Sequence, residues 1–119
     1  MGDLTRGDGT RLAHRLREGR GPTLIFLPGY MSDMTGAKAL ALDDWAAREG
    51  RALLRFDYAG CGESEGDFEA QTLTGWLADT LEMIDTLANG PVVLVGSSMG
   101  GWLMLLAALA RPGRVAGLV

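Results

Sequence analysis

A chain of 119 residues, 47% hydrophobic and 22% charged, has room for one modest core and no second domain. A net charge of −4 with scattered basic residues leaves no clustered footprint for nucleic-acid phosphates. No apolar run approaches the roughly 20 residues that a membrane-spanning helix needs.

The N-terminus carries Asp3 and Asp8 without an apolar stretch, so neither a secretory signal nor a transit peptide is expected. Arg6 stands where a myristoylation pattern requires Ser or Thr. The lone cysteine, Cys61, excludes an internal disulfide and fits a reducing compartment. It is expected to be a small buried or loop residue. Lys38 is the one lysine among 11 basic residues, an arginine bias that points to a bacterial source, for which a cytoplasmic location is expected.

In chain order, extended segments are predicted around Leu4 and over Arg11 to Arg17, with Gly7-Asp8-Gly9 turning between them and Gly19 to Pro22 as a break. Three short apolar runs, 23–27, 52–56 and 92–95, read as strands covered on both faces. Between them the 3.6-residue spacing predicts helices over about Ala37 to Glu49, stopped by Gly50, and over about Thr72 to Ala88. On the second, Leu73, Trp76, Leu77, Thr80, Leu81 and Ile84 form the inward stripe, and Asp79, Glu82 and Asp85 are expected on a solvated face. A third helix is predicted from Gly100 or Gly101 through Ala110, and 115–119 opens one more strand. Trp45, Trp76 and Trp102 are expected in the core.

Strands alternating with helices imply a mostly parallel sheet with right-handed crossovers and helices on both faces. A chain ending inside a buried strand implies that residues 1–119 are the N-terminal half of a single domain, whose C-terminal half is its missing partner.

The strongest chemical signal is Gly96-Ser97-Ser98-Met99-Gly100, a G-x-S-x-G run between an apolar strand and a helix. Such a turn strains the serine backbone, presents the hydroxyl at the sheet's edge and needs small residues at Gly96 and Gly100. Ser98 is therefore the expected nucleophile; the alternative is a serine that merely caps the helix. An acyl-transfer nucleophile needs two oxyanion donors. The expected pair is the Met99 N–H and the Tyr30 N–H, the latter in Pro28-Gly29-Tyr30-Met31, where Gly29 permits close approach. Asp57, opening the glycine-rich stretch to Gly66, is expected to tie that loop together through backbone amides.

These motifs, in this order, resemble the α/β-hydrolase superfamily. Leu27-Pro28-Gly29-Tyr30, Ser32-Asp33-Met34, Gly36, Lys38, Arg55-Phe56-Asp57-Tyr58 and Gly96 to Trp102 are similar more narrowly to the mitochondrial palmitoyl-protein thioesterases, also known as mycophenolic acid acyl-glucuronide esterases, and their bacterial relatives. That resemblance covers nearly the whole chain beyond about residue 20. Pro28, where many superfamily members carry His, agrees with the narrower group. It implies a serine hydrolase that cleaves carboxylic esters or thioesters of a small-molecule or acyl substrate through an acyl-enzyme on Ser98, without cofactor or metal, and a mitochondrial location in a eukaryote. Peptidase, lactonase, carbon–carbon hydrolase, acyltransferase and a non-catalytic binder on the same scaffold are the alternatives.

Triad members in this fold follow the order serine, acid, histidine. No Asp, Glu or His follows Ser98, and His14 precedes it on a predicted strand, where a packing or surface role is expected. The 119 residues alone are thus expected to be inactive. Asp33 and Lys38 flank the expected site without an assigned role.

Overall fold

A computed structural model describes residues 2–119. Its elements are β1 (Gly2–Thr5), β2 (Arg11–Arg17), β3 (Arg20–Leu27), α1 (Ala37–Glu49), β4 (Arg51–Phe56), a 3₁₀ turn (Phe68–Ala70), α2 (Leu73–Leu87), β5 (Val92–Gly96), α3 (Met99–Ala110) and β6 (Val115–Leu118). They form one sheet in the order β1-β2-β4-β3-β5-β6. β1, β2 and β4 pair antiparallel, whereas β4, β3, β5 and β6 run parallel.

The parallel strands are apolar on both faces because both are covered. Ile25, Leu54 and Leu94 lie in register and face α2 and α3, joining Trp76, Met83, Ile84, Leu103 and Ala107 in the main core. Leu24, Leu53 and Val93 point the other way and pack on Leu42 and Ala46 of α1. A one-residue shift of any of these strands would exchange the two sets, so burial on both sides pins the register.

Helix boundaries follow local chemistry. Thr72 caps α2 by accepting from the Gly75 N–H at 3.0 Å. Gly50 ends α1 in the left-handed region at φ 65°, its N–H donating to the Ala46 carbonyl. Two boundaries differ from expectation. α3 begins at Met99 rather than at Gly100 or Gly101. β3 begins at Arg20, through the expected break: its register on β4 slips between Arg20 and Leu24, so Pro22 need not donate to the ladder.

Four side chains lie elsewhere than the sequence predicts, the first being Leu73, 39% exposed rather than on the inward stripe. Asp79 is not on a solvated face; it is 1% exposed and accepts from Arg6 Nε at 2.5 Å and from the Ala59 N–H at 2.9 Å. It shares the buried stripe with Trp76 and Met83, three residues before it and four after it. Asp85 does face solvent, where it pairs with Arg111 at the end of α3. Trp45 and Trp102 are 38% and 59% exposed and do not belong to the core, whereas Trp76 is buried and donates from Nε1 to the Ala59 carbonyl at 2.8 Å.

Asp79 and Trp76 together fasten α2 to the chain leaving β4. Replacing Asp79 by Ala strands the Arg6 guanidinium and the Ala59 N–H, at an expected cost of about 2–4 kcal/mol. Chemical denaturation checks this; a loss below about 0.5 kcal/mol would mean that water replaces the carboxylate.

Candidate active site

At the end of β5 the chain bends through Ser97 and Ser98 directly into α3, with Gly100 N–H on the Ser97 carbonyl and Gly101 N–H on the Ser98 carbonyl, both at 2.9 Å. Ser98 adopts φ 57°, ψ −117°, a conformation that costs a non-glycine residue about 1–3 kcal/mol. A serine acting as a helix cap would sit in the extended region and accept an amide of the first turn. Ser98 does neither: its side chain makes no cap bond and is exposed.

The bend depends on two glycines. A Cβ on Gly96 would collide with the Gly100 carbonyl, and one on Gly100 with the Leu27 carbonyl. Helix α3 thus lies directly on the end of β3, where the Ser97 N–H also reaches the Leu27 carbonyl at 3.2 Å.

That contact brings the loop after β3 against the bend. A Cβ on Gly29 would lie 3.3 Å from Ser98 Cβ and 3.1 Å from the Ser97 carbonyl oxygen, so the loop and the bend are in close backbone contact here. Tyr58 Oη anchors the loop by donating to the Pro28 carbonyl at 2.9 Å. Tyr30 is exposed and sets its ring edge against Phe68, centroids 5.6 Å apart. Met31 also has φ 57°, a second strained position that sequence inspection missed. Among the described residues, neither the Tyr30 nor the Met99 backbone N–H donates to a protein acceptor. Tyr30, Ser97 and Ser98 line a cavity of about 290 Å³ together with Ser32, Asp33 and Lys38.

Asp57 supports the same loop from below. Its Oδ1 accepts from the Met34 N–H at 2.8 Å and its Oδ2 from the Glu63 N–H at 2.9 Å, joining the loops after β3 and β4. Burial pushes its carboxyl above the usual range, and the two amides oppose that rise. Arg55 adds a bond from its guanidinium to the Met34 carbonyl at 2.7 Å. Gly62, at φ 50°, stands where a Cβ would strike the Asp57 carboxylate. Cys61 is buried beside them, and its thiol is pushed up to about 11, chiefly by burial, so it remains protonated at neutral pH.

Residues 24–119 match the alpha/beta hydrolase family. The chain belongs to that family. Human mitochondrial palmitoyl-protein thioesterase ABHD10 is 51% identical over 116 residues, covering 98% of this chain and 38% of the human protein. The structure of mouse alpha/beta hydrolase domain-containing protein 10 superposes with a TM-score of 0.95 at 45% identity, covering 98% of this chain and 47% of that one. A protein from Agrobacterium vitis S4 superposes at 0.90 with 37% identity, over 98% and 48% of the two chains. This chain therefore spans less than half the length of these relatives.

Of the residues singled out in the sequence, the fold brings Ser98, Gly96, Gly100, Gly29 and Tyr30 together, and places Met99 in the first turn of α3 beside them. Asp57 lies one loop away and reaches the site through Met34. His14 stays apart: it lies on β2 opposite Phe56 of β4, and β4 and β3 separate β2 from β5, about 14 Å at strand spacing. It is nearly buried, with Nδ1 unpartnered among the described residues, and burial holds its pKa below the usual value. No cluster of three or more His, Cys, Asp or Glu able to hold a metal occurs among the described residues. Nor is any helix long and apolar enough to cross a membrane.

Proposed function

We propose that these residues are the nucleophile-bearing N-terminal half of a serine hydrolase domain that cleaves carboxylic esters or thioesters. The observation that carries this is the Ser98 backbone, held in a strained conformation with its hydroxyl exposed and uncommitted to capping. Strain without a structural use is the mark of a group positioned for chemistry. The thioesterase name carried by the human relative favours acyl transfer over the other bonds this fold handles.

In the complete domain Ser98 Oγ attacks the substrate carbonyl carbon while a histidine from the C-terminal half takes its proton. The carbonyl oxygen, now negative, receives hydrogen bonds from the Tyr30 and Met99 amides. The tetrahedral species collapses to a Ser98 acyl ester, and the departing alkoxide or thiolate collects the proton from histidine. Water, activated by the same histidine, then releases the acid and restores the hydroxyl. A carboxylate from the C-terminal half orients the histidine. The likeness to the human mitochondrial protein favours mitochondria if the source is a eukaryote, and the cytoplasm is the proposed location in a bacterium.

Treating the complete domain with a fluorophosphonate probe, followed by peptide mapping, tests the assignment. Stoichiometric labelling of Ser98 is expected. An unlabelled Ser98 in a cooperatively folded protein would overturn it.

A further inference from the structure

The cavity beside the bend contains a charge that the reaction above leaves without a task. Lys38, exposed in the first turn of α1, is the only lysine in the sequence and, among the described residues, the only cation lining that cavity. Its Nζ donates to Ser97 Oγ at 3.0 Å, one residue from the nucleophile. An ammonium carries three donors, so a neutral hydroxyl leaves two unspent. Among the described residues no carboxylate oxygen lies within 4.0 Å of it.

The one acid on the cavity wall, Asp33, is engaged elsewhere. Its Oδ1 accepts from the Thr35 N–H at 2.8 Å and from Thr35 Oγ1 at 2.6 Å, and the Thr35 hydroxyl bond holds its carboxyl below the usual range. A substrate that was apolar throughout would gain nothing from an ammonium tethered here and would have to leave it solvated. An anionic group, by contrast, would meet two free donors able to form charge-assisted hydrogen bonds.

We infer that Lys38 is a specificity-determining residue that receives an anionic group, carboxylate or phosphate, carried by the substrate close to the scissile carbonyl. The uncapped first turn of α1, with Gly36 and Ala37 on the cavity wall, adds positive potential in the same direction. This inference rests on the hydrolase function proposed above and narrows its substrate class.

Two measurements on the complete domain decide it. In the first, lysines are converted to ¹³C-dimethyl-lysine, which keeps the charge, and the Lys38 resonance is identified by its loss in Lys38→Arg. Phosphate, glutarate and neutral glutaramide are then titrated at constant ionic strength. A saturable shift with phosphate or glutarate and none with glutaramide is expected, and the stronger anion names the group. No saturable shift from either anion, as when a carboxylate of the C-terminal half already holds Lys38, would overturn the inference.

The second compares kcat/KM for matched anionic and neutral esters. 4-Nitrophenyl hemiglutarate against 4-nitrophenyl butyrate tests the acyl side, and 4-carboxyphenyl butyrate against phenyl butyrate tests the leaving group. In one of these pairs Lys38→Met is expected to lower the anionic-to-neutral ratio by roughly five- to tenfold, mainly through KM, with Lys38→Arg restoring most of it. Unchanged ratios in both pairs would also overturn the inference. Should neither ester turn over and Ser98 resist the probe, the hydrolase function fails, and the resonance titration still decides whether Lys38 binds anions.

Discussion

Ser98→Ala in the complete domain is expected to lower kcat for ester or thioester hydrolysis by about 10⁴- to 10⁶-fold while leaving the fold intact. The magnitude follows from the loss of the covalent step: oxyanion donors and binding persist, but they retain only about 10³- to 10⁴-fold over the uncatalysed reaction. Stability separates this from trivial damage. Alanine inherits the same φ of 57°, so Ser98→Ala should unfold within about 0.5 kcal/mol of the parent. Ser98→Gly removes the steric objection to that φ and should be as inactive yet more stable by about 1 kcal/mol, after allowing for the added freedom of its unfolded chain. Steady-state kinetics and thermal unfolding on the three proteins check both statements. Appreciable turnover by Ser98→Ala would remove Ser98 from the chemistry, and destabilisation by Ser98→Gly would mean the backbone is not strained.

Much of this architecture is written locally. Continuous apolar runs such as Leu24 to Leu27 mark strands covered on both faces, and the G-x-S-x-G run marks a bend that only small flanking residues permit. What sequence inspection missed is determined by partners far along the chain. Asp79 is buried because Arg6, 73 residues earlier, meets its carboxylate, and acidic residues at helical spacing give no hint of that partner. A signal did exist: Asp79 falls three residues after Trp76 and four before Met83, on the inward stripe. The errors at Trp45 and Trp102 have another origin, since aromatic size predicts burial only where a neighbouring element stands opposite. The strain at Met31 and the bond from Lys38 to Ser97 arise from how the loop after β3 meets the bend, and neither leaves a trace in spacing.

The contact between that bend and β3 can be tested by two adjacent glycines that respond in opposite directions. Both Gly100 and Gly101 lie inside α3, where alanine normally gains about 1 kcal/mol over glycine. At Gly101 nothing lies within 4 Å of the added carbon, so Gly101→Ala should stabilise the complete domain by about 0.5–1 kcal/mol. At Gly100 the added carbon would overlap the Leu27 carbonyl and lie 2.8 Å from the Pro28 carbonyl oxygen, both backbone atoms that cannot rotate aside. The helix must then lift off the sheet, and overpacking of this kind outweighs the propensity gain, leaving Gly100→Ala about 3 kcal/mol or more less stable. The same displacement carries Met99 and Ser98 away from the loop holding Tyr30. Any Gly100→Ala protein that folds should therefore lose at least about 10²-fold in kcat, as expected for a misplaced nucleophile. Denaturation midpoints and kinetics on the two variants are enough. Equal and small effects at both glycines would mean that α3 does not rest on the end of β3, and the placement of Ser98 against the Tyr30 loop would fall with it.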